Sequence, residues 1–234
     1  MKHSRRKVLL TTAITALSLH AFSAQAAPVK IGIVGPFSGP FAHYGVLFKG
    51  GVESYLASQG GKLAGQAIEI IYRDSGGPNP GGTKAVVQEL VVKDKVDYLG
   101  GFIFTPNAMA IAPIIQQSKT PTVIFNAATS AITAKSDYFV RTSYTLWQVT
   151  VPEAQWAAKQ GIKRVVTAVS DYGPGIDAEN AFKSEFTKQG GQVVESIRMP
   201  MSTKDFAPFV QRIKATGAQA VYTFLPGGPP NLGF

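Results

Sequence analysis

The stretch KIGIVGPFSGPFAHYGVLFKGGVESYL, Lys30 to Leu56, decides the fold. An apolar, β-branched run breaks into a loop of glycine and proline and then into a helical pattern. Strand, glycine-rich loop, helix is the shape of a phosphate cradle, but this loop lacks the parts. A Walker loop needs Gly-Lys followed by Ser or Thr, and GPFSGPFAHYG has no such pair; GIVGPFSG does not fit the dinucleotide fingerprint Gly-x-Gly-x-x-Gly. Pro36 and Pro40 also remove amide donors that a phosphate nest requires. What remains is a stiff loop carrying Phe37, Phe41 and Tyr44, suited to a lip over a small, partly apolar ligand.

Outward from this stretch the same alternation repeats. AIEIIYRDS, VDYLGGFIF, TPTVIFNA and YFVRTS read as strands, separated by helical patterns in GTKAVVQELVVKDK, with Val87, Leu90 and Val91 on one face, and in NAMAIAPIIQQSK around Pro113. A second series starts near Leu146: LWQVTVPEAQWAAKQG as helix, KRVVTAVS as strand, GIDAENAFKSEFTKQGG as helix capped near Gly190, and QVVESIRM as strand. STKDFAPFVQRIKATG then starts a helix at Ser202 or Asp205, with Phe206, Phe209, Val210 and Ile213 inward, before the strand AQAVYTFLP. Strands alternating with helices predict an α/β fold of parallel sheets covered on both faces. IGIVGPFSGP and VTAVSDYGPGID each open such a series, so two lobes are expected to face each other across a cleft. The carboxyl ends of open α/β sheets are where ligands sit.

Composition narrows the function classes. The chain has 234 residues, 45% hydrophobic and 16% charged, ample for a core. Its net charge of +9 suggests a nucleic-acid footprint, but Lys2, Arg5, Arg6 and Lys7 supply four of the nine, and removing them leaves +5 without a basic run. Nucleic acid is therefore not expected as a partner. Those basic residues precede the apolar run VLLTTAITALSLHAF and the small residues of SAQAAP, the layout of a secretory signal peptide cleaved near Ala26 or Ala27. SRRKVLL also carries paired arginines. The apolar run is shorter than the ~20 residues that span a bilayer. With no cysteine, thiol catalysis, thiolate zinc sites and iron–sulfur ligation are excluded. Beyond the leader His43 is the only histidine, so a Ser-His-Asp triad or a multi-histidine metal site would have to rest on it. Ser170-Asp171 and Asp74-Ser75 offer hydrolase groups, but there is no Gly-x-Ser-x-Gly elbow. An α/β hydrolase is the remoter alternative; no enzyme activity, metal or cofactor is expected.

Two further loops lie at the same sheet edge as the opening one. FIFTPNA places Thr105 and Asn107 after the third strand, and IFNAATS places Asn126, Thr129 and Ser130 after the fourth. Ala127 and Ala128 let a ligand approach the backbone, and the hydroxyls and amides can hold a carboxylate. Ser, Thr and Asn also cap helices, so each loop alone reads first as a cap; three polar loops at one sheet edge move the balance toward a site.

Together IGIVGPFSGPFAHYG, LGGFIFTPNAMAIAP, NAATS, YFVRTS, VSDYGPGID and DFAPFVQRIKATGAQAVY resemble the branched-chain amino acid binding proteins of ATP-driven (ABC) importers, over residues 29 to about 225. The resemblance implies a two-lobed periplasmic binding protein fold, a Venus flytrap, that closes on a small ligand and docks on a membrane permease. It implies a signal peptide over 1–27, lobe 1 over 28–144 and an incomplete lobe 2 over 145–234, with a hinge near Thr142–Tyr144. It also implies a periplasmic monomer. By position, Thr105 matches a hydroxyl that binds ligand carboxylate, and Thr129 with the backbone of Ala127 and Ala128 matches the loop holding carboxylate and ammonium. Tyr44 matches an aromatic on the first loop, and Tyr172 the aromatic lowered by the second lobe. Where the family often has a second hydroxyl this chain has Pro106, and Phe104 narrows or aromatises the pocket. With Trp147 near the hinge, this makes an aromatic carboxylate the alternative to a branched-chain amino acid; a periplasmic sensor domain of the same fold is a further one. The chain stops at Phe234, before the crossings that supply the family's acidic ligand to the ammonium, so a truncated product is expected.

Overall fold

Apolar runs separated by Gly/Pro turns build two sheets. The computed structural model describes residues 27–234, and the leader expected over 1–27 lies outside them except for Ala27. In chain order the first unit holds β1 (Val29–Gly35), α1 (Ala42–Ser58), the short β2 (Lys62–Leu63), β3 (Gln66–Asp74), α2 (Pro80–Gln88), β4 (Tyr98–Gly101), α3 (Thr105–Ser118), β5 (Thr122–Ile124) and β6 (Phe139–Arg141). The second holds α4 (Leu146–Lys159), β7 (Arg164–Ser170), α5 (Gly173–Lys188), β8 (Gln192–Met199), α6 (Ala207–Ala215), β9 (Ala220–Phe224) and α7 (Pro229–Gly233).

The six-stranded sheet runs β2-β3-β1-β4-β5-β6, and all its pairings except β2 with β3 are parallel. The three-stranded sheet runs β8-β7-β9 and is wholly parallel. This is the α/β architecture expected from the alternation. In both sheets the earliest strand is central, and the chain turns to one side and then to the other. The crevice of each sheet therefore opens beside β1 or β7 at the carboxyl ends, where the order reverses.

Core packing follows the apolar faces. Val87, Leu90, Leu99, Ile111, Ile115 and Ile124 bury together where α2 and α3 cover the first sheet. Val165, Val169, Phe182, Phe186 and Tyr222 pack beneath α4 and α5, and Val166, Ile197, Met199 and Phe206 fill the other face of the second sheet. The opposite face of the first sheet carries α1, which leaves Val46, Leu47 and Tyr55 exposed. An apolar groove of about 390 Å³ opens there between Val52 and Leu56 of α1 and Ile31, Ile68, Ile70 and Phe125 of the sheet.

Several elements differ from the sequence reading for local reasons. The third strand was expected to continue to Phe104 but ends at Gly101, which has φ +111°; a Cβ there would collide with the Val34 carbonyl oxygen, so only glycine fits. Phe102 then takes φ +64°, turning the chain so that Thr105 becomes the first residue of α3 instead of a loop residue. The single helix expected over GTKAVVQELVVKDK divides into α2 and a wider π turn, Glu89–Asp94, which closes on left-handed Lys95. The sixth helix starts at Ala207, whose amide bonds to the Asp205 carboxylate; Phe206 is buried while Phe209, Val210 and Ile213 are half-buried.

Candidate functional site

Between the carboxyl ends of the two sheets lies a cavity of about 270 Å³. Each switch-point turn sends side chains into it. Tyr44 comes from α1 behind the β1 loop, Ile103 and Phe104 follow β4, Asn126 and Ala128 follow β5, and Tyr144 and Leu146 follow β6. From the second unit come Tyr172 and Pro174 after β7, and Phe224 through Gly227 at the end of β9. Five of these residues are aromatic, and none is Asp, Glu, Lys, Arg or His.

Aromatic packing holds the walls. Phe104 is buried and meets Phe41 edge-on at 4.9 Å between ring centres, while Tyr172 lies near-parallel to Phe224 at 6.5 Å. Burial pushes the Tyr44 hydroxyl above its ordinary value, with Tyr144 adding to the rise and a hydrogen bond from the Gly227 amide opposing it. Burial likewise pushes Tyr172 well above its ordinary value, with Tyr44 a lesser cause. Tyr44 and Tyr172 therefore offer neutral hydroxyls at neutral pH.

The electrostatics come from the backbone. Helix α3 starts at Thr105 behind Phe104, and α5 at Gly173 behind Tyr172; neither start has a side-chain cap or an acidic residue in its first turn. A helix start leaves its first amides without intrahelical partners and carries roughly half a positive charge, although Pro106 and Pro174 in these first turns each remove one donor. Two such starts, from opposite units, reach a cavity with no charged side chain. An anionic group complements them.

The seven residues expected at the site fall into two sets. Tyr44, Phe104, Ala128 and Tyr172 line the cavity; Thr105, Ala127 and Thr129 are buried outside its lining. The Thr105 and Thr129 hydroxyls hydrogen-bond to each other at 2.9 Å. Gly173 packs over both, since a Cβ on it would sit 3.4 Å from Thr105 Cγ2 and 3.7 Å from Thr129 Oγ1. The 127–129 loop is braced from behind by Arg141, which donates to the carbonyls of Thr129 at 2.8 Å and Ala127 at 3.3 Å. Burial pulls that guanidinium below its ordinary value, with the Asp177 carboxylate acting in the opposite direction. His43 is exposed on α1, its ring 4.0 Å from that of Tyr44.

The contribution of Phe224–Gly227 was missed in the sequence. Its signal was present, because FLPGG repeats the strand-to-Gly/Pro transition of the opening stretch. Gly227 lies close under Tyr44: a Cβ there would collide with the tyrosine hydroxyl unless the ring moved aside. Tyr144, in the segment expected as a hinge, lines the cavity, and Trp147 donates from Nε1 to the Asp177 carboxylate at 3.0 Å.

A family model described as periplasmic binding protein matches residues 28–231. The chain is 54% identical over 228 residues to a Leu/Ile/Val-binding protein homolog 6 of Brucella melitensis, covering 97% of this chain and 58% of that one. Among solved structures it is similar to an ABC transporter solute-binding protein of Rhodopseudomonas palustris in complex with 4-hydroxybenzoate, at 55% identity and TM-score 0.87, covering 89% of this chain and 56% of that one. A second such protein, from R. palustris BisB5 in complex with 3,4-dihydroxybenzoic acid, is 43% identical with TM-score 0.82, covering 86% and 55%. The chain thus spans somewhat more than half the length of the proteins it matches.

Proposed function

This chain belongs to the periplasmic binding protein family, and from that premise we propose that it is the ligand-capturing part of a periplasmic solute-binding protein whose ligand is a small aromatic carboxylate. The observation that carries the ligand class is the cavity lining: five aromatic rings, no charged side chain, and two uncapped helix starts. The ligand ring lies among Tyr44, Phe104, Tyr172 and Phe224, where apolar burial and ring–ring contact favour a flat apolar body. Its carboxylate is held at the starts of α3 and α5 beside Ala128. The Thr105–Thr129 hydroxyl pair and the 127–129 backbone, buried behind the lining, join the cradle when the opening of the two units lifts Gly173 off the pair. The tyrosine hydroxyls serve a polar ring substituent. An α-amino acid would add an ammonium, which the lining meets with no carboxylate. The benzoate ligands of the similar structures support the same class.

Capture is binding and closure without chemistry. The two units close about the segment near Thr142–Tyr144, and the closed form is presented to the permease of an ABC importer. A second reading, a branched-chain amino acid, is favoured by the name of the Brucella relative.

Titration calorimetry of the full chain with 4-hydroxybenzoate, 3,4-dihydroxybenzoate and leucine separates the two. Heat of binding is expected with both benzoates and none with leucine. A parallel melt at a hundred times the dissociation constant should gain ~2.7 kcal/mol, a midpoint rise of roughly 5–10 °C at this size. Binding of leucine alone would replace the ligand class, and binding of none would overturn the reading.

A further inference from the structure

We infer that Asp177 is a positioning residue for ligand capture: its carboxylate ties the start of α5 to the first unit and thereby slows ligand release. This rests on the reading of the cavity as the ligand site. Asp177 is not among the residues that line the cavity, so its effect comes through position and not contact.

Three donors converge on this one carboxylate. Its Oδ2 accepts from the backbone amide and the hydroxyl of Ser130, each at 2.9 Å, and its Oδ1 accepts from Trp147 Nε1 at 3.0 Å. Ser130 belongs to the first unit, immediately after the Thr129 loop, whereas Asp177 stands on α5 of the second. The bond therefore spans the two units at the edge of the cleft. Hydrogen bonds to an ionised acceptor are shorter and stronger than neutral ones, and the half-buried setting of Asp177 limits their screening.

The position of Asp177 on its helix gives the bond its leverage. Residues four apart share a helix face, so holding Asp177 holds Gly173, the first residue of α5. Gly173 packs on the Thr105–Thr129 hydroxyl pair, and Tyr172 just before it is a wall of the cavity. The other end of the tie is firm as well, because Arg141 fixes the carbonyls of Ala127 and Thr129. Releasing the carboxylate would free the α5 start, and with it the Tyr172 wall, to swing away from the first unit.

Stopped-flow binding of 4-hydroxybenzoate to the full chain, followed by intrinsic fluorescence, tests this with Asp177→Asn and Ser130→Ala. Asparagine keeps one acceptor oxygen but turns an amide nitrogen toward the other donors, so at least one arm is lost. The dissociation rate is expected to rise roughly tenfold in Asp177→Asn, the loss of about one charge-assisted hydrogen bond. Ser130→Ala, which keeps the backbone arm, is expected to raise it roughly threefold by the same conversion. The association rate should stay within about twofold, because affinity changes within one interface reside mostly in the off-rate. Amide exchange supplies a second readout: in Asp177→Asn protection should fall at Ile176, whose amide closes the first turn of α5 on the Tyr172 carbonyl at 3.1 Å, and stay unchanged at Val166 and Ile197 in the second core. An unchanged dissociation rate in Asp177→Asn overturns the inference. If the unaltered chain binds no benzoate, the ligand reading fails by itself; unchanged exchange at Ile176 in Asp177→Asn then overturns the tie, and faster exchange sustains it.

Discussion

Replacing Thr105 by valine removes one hydroxyl without changing the shape of the side chain. Thr105 and Thr129 are 4% and 8% exposed, so neither hydroxyl can readily turn to water once its partner at 2.9 Å is gone. An orphaned buried hydroxyl costs about 1–3 kcal/mol. For a chain of 150–250 residues each kcal/mol is worth roughly 2–4 °C, so the Thr105→Val midpoint should fall by roughly 2–12 °C. Thr129→Val should fall by a similar amount for the same reason. The double variant pairs two apolar groups of the same shape and is expected to melt close to the unaltered chain. The cycle therefore yields a coupling of about 2–6 kcal/mol, the sum of the two single losses. Ligand binding should not follow stability. If the two hydroxyls take the ligand carboxylate, the double variant loses roughly tenfold or more in affinity for 4-hydroxybenzoate, about 1.4 kcal/mol, while its melt is restored. Thermal melts of the four proteins and a benzoate titration of each read both outcomes. Additive destabilisation would refute the buried pair, and an unchanged affinity in the double variant would refute its place in the cradle.

Two further outcomes follow from local geometry. A Cβ on Gly175, in the first turn of α5, would collide with the Ser170 carbonyl oxygen; Gly175→Ala should therefore lower both midpoint and benzoate affinity, although alanine is worth about 1 kcal/mol more than glycine in a helix interior. A raised midpoint would refute the close approach. Asp74, at the end of β3, is pushed up by partial burial, but hydrogen bonds from Ser38 Oγ and the amides of Gly76 and Phe37 outweigh this and hold it below its ordinary value of 3.8. A depressed folded-state pKa contributes stability above the unfolded value that is lost as pH falls through the folded one. Melts should therefore show a midpoint declining below about pH 4, and Asp74→Asn should flatten that decline; an equally steep decline in the variant would exclude Asp74 as its source.

The alternation of strand and helix was legible because periodicity is a local property. Ile31 and Ile33, Val165 and Val169, and Val87 with Leu90 each mark one face of their element without reference to the rest of the chain. The Gly/Pro loops after the first strands of both series pointed to the cleft edge for the same reason. Aromatics on those loops, Tyr44 and Tyr172, are walls of the cavity. Phe104 and Ala128 were legible by position, from the order and spacing of motifs. The end of the third strand was less legible, because the collision that requires glycine at position 101 involves Val34, 67 residues earlier.

By itself, then, the amino-acid order determined the α/β class, the two series of elements, the uncharged character of the opening loop and the absence of thiol chemistry. Tertiary structure alone decided which residues meet. It turned Thr105 and Thr129 toward each other beneath Gly173, brought Phe224–Gly227 to the cavity wall, and set Asp177 against Ser130 and Trp147. The physical reason is distance along the chain: these partners are between 24 and about 180 residues apart, and no local pattern records a contact made only when the chain folds back on itself.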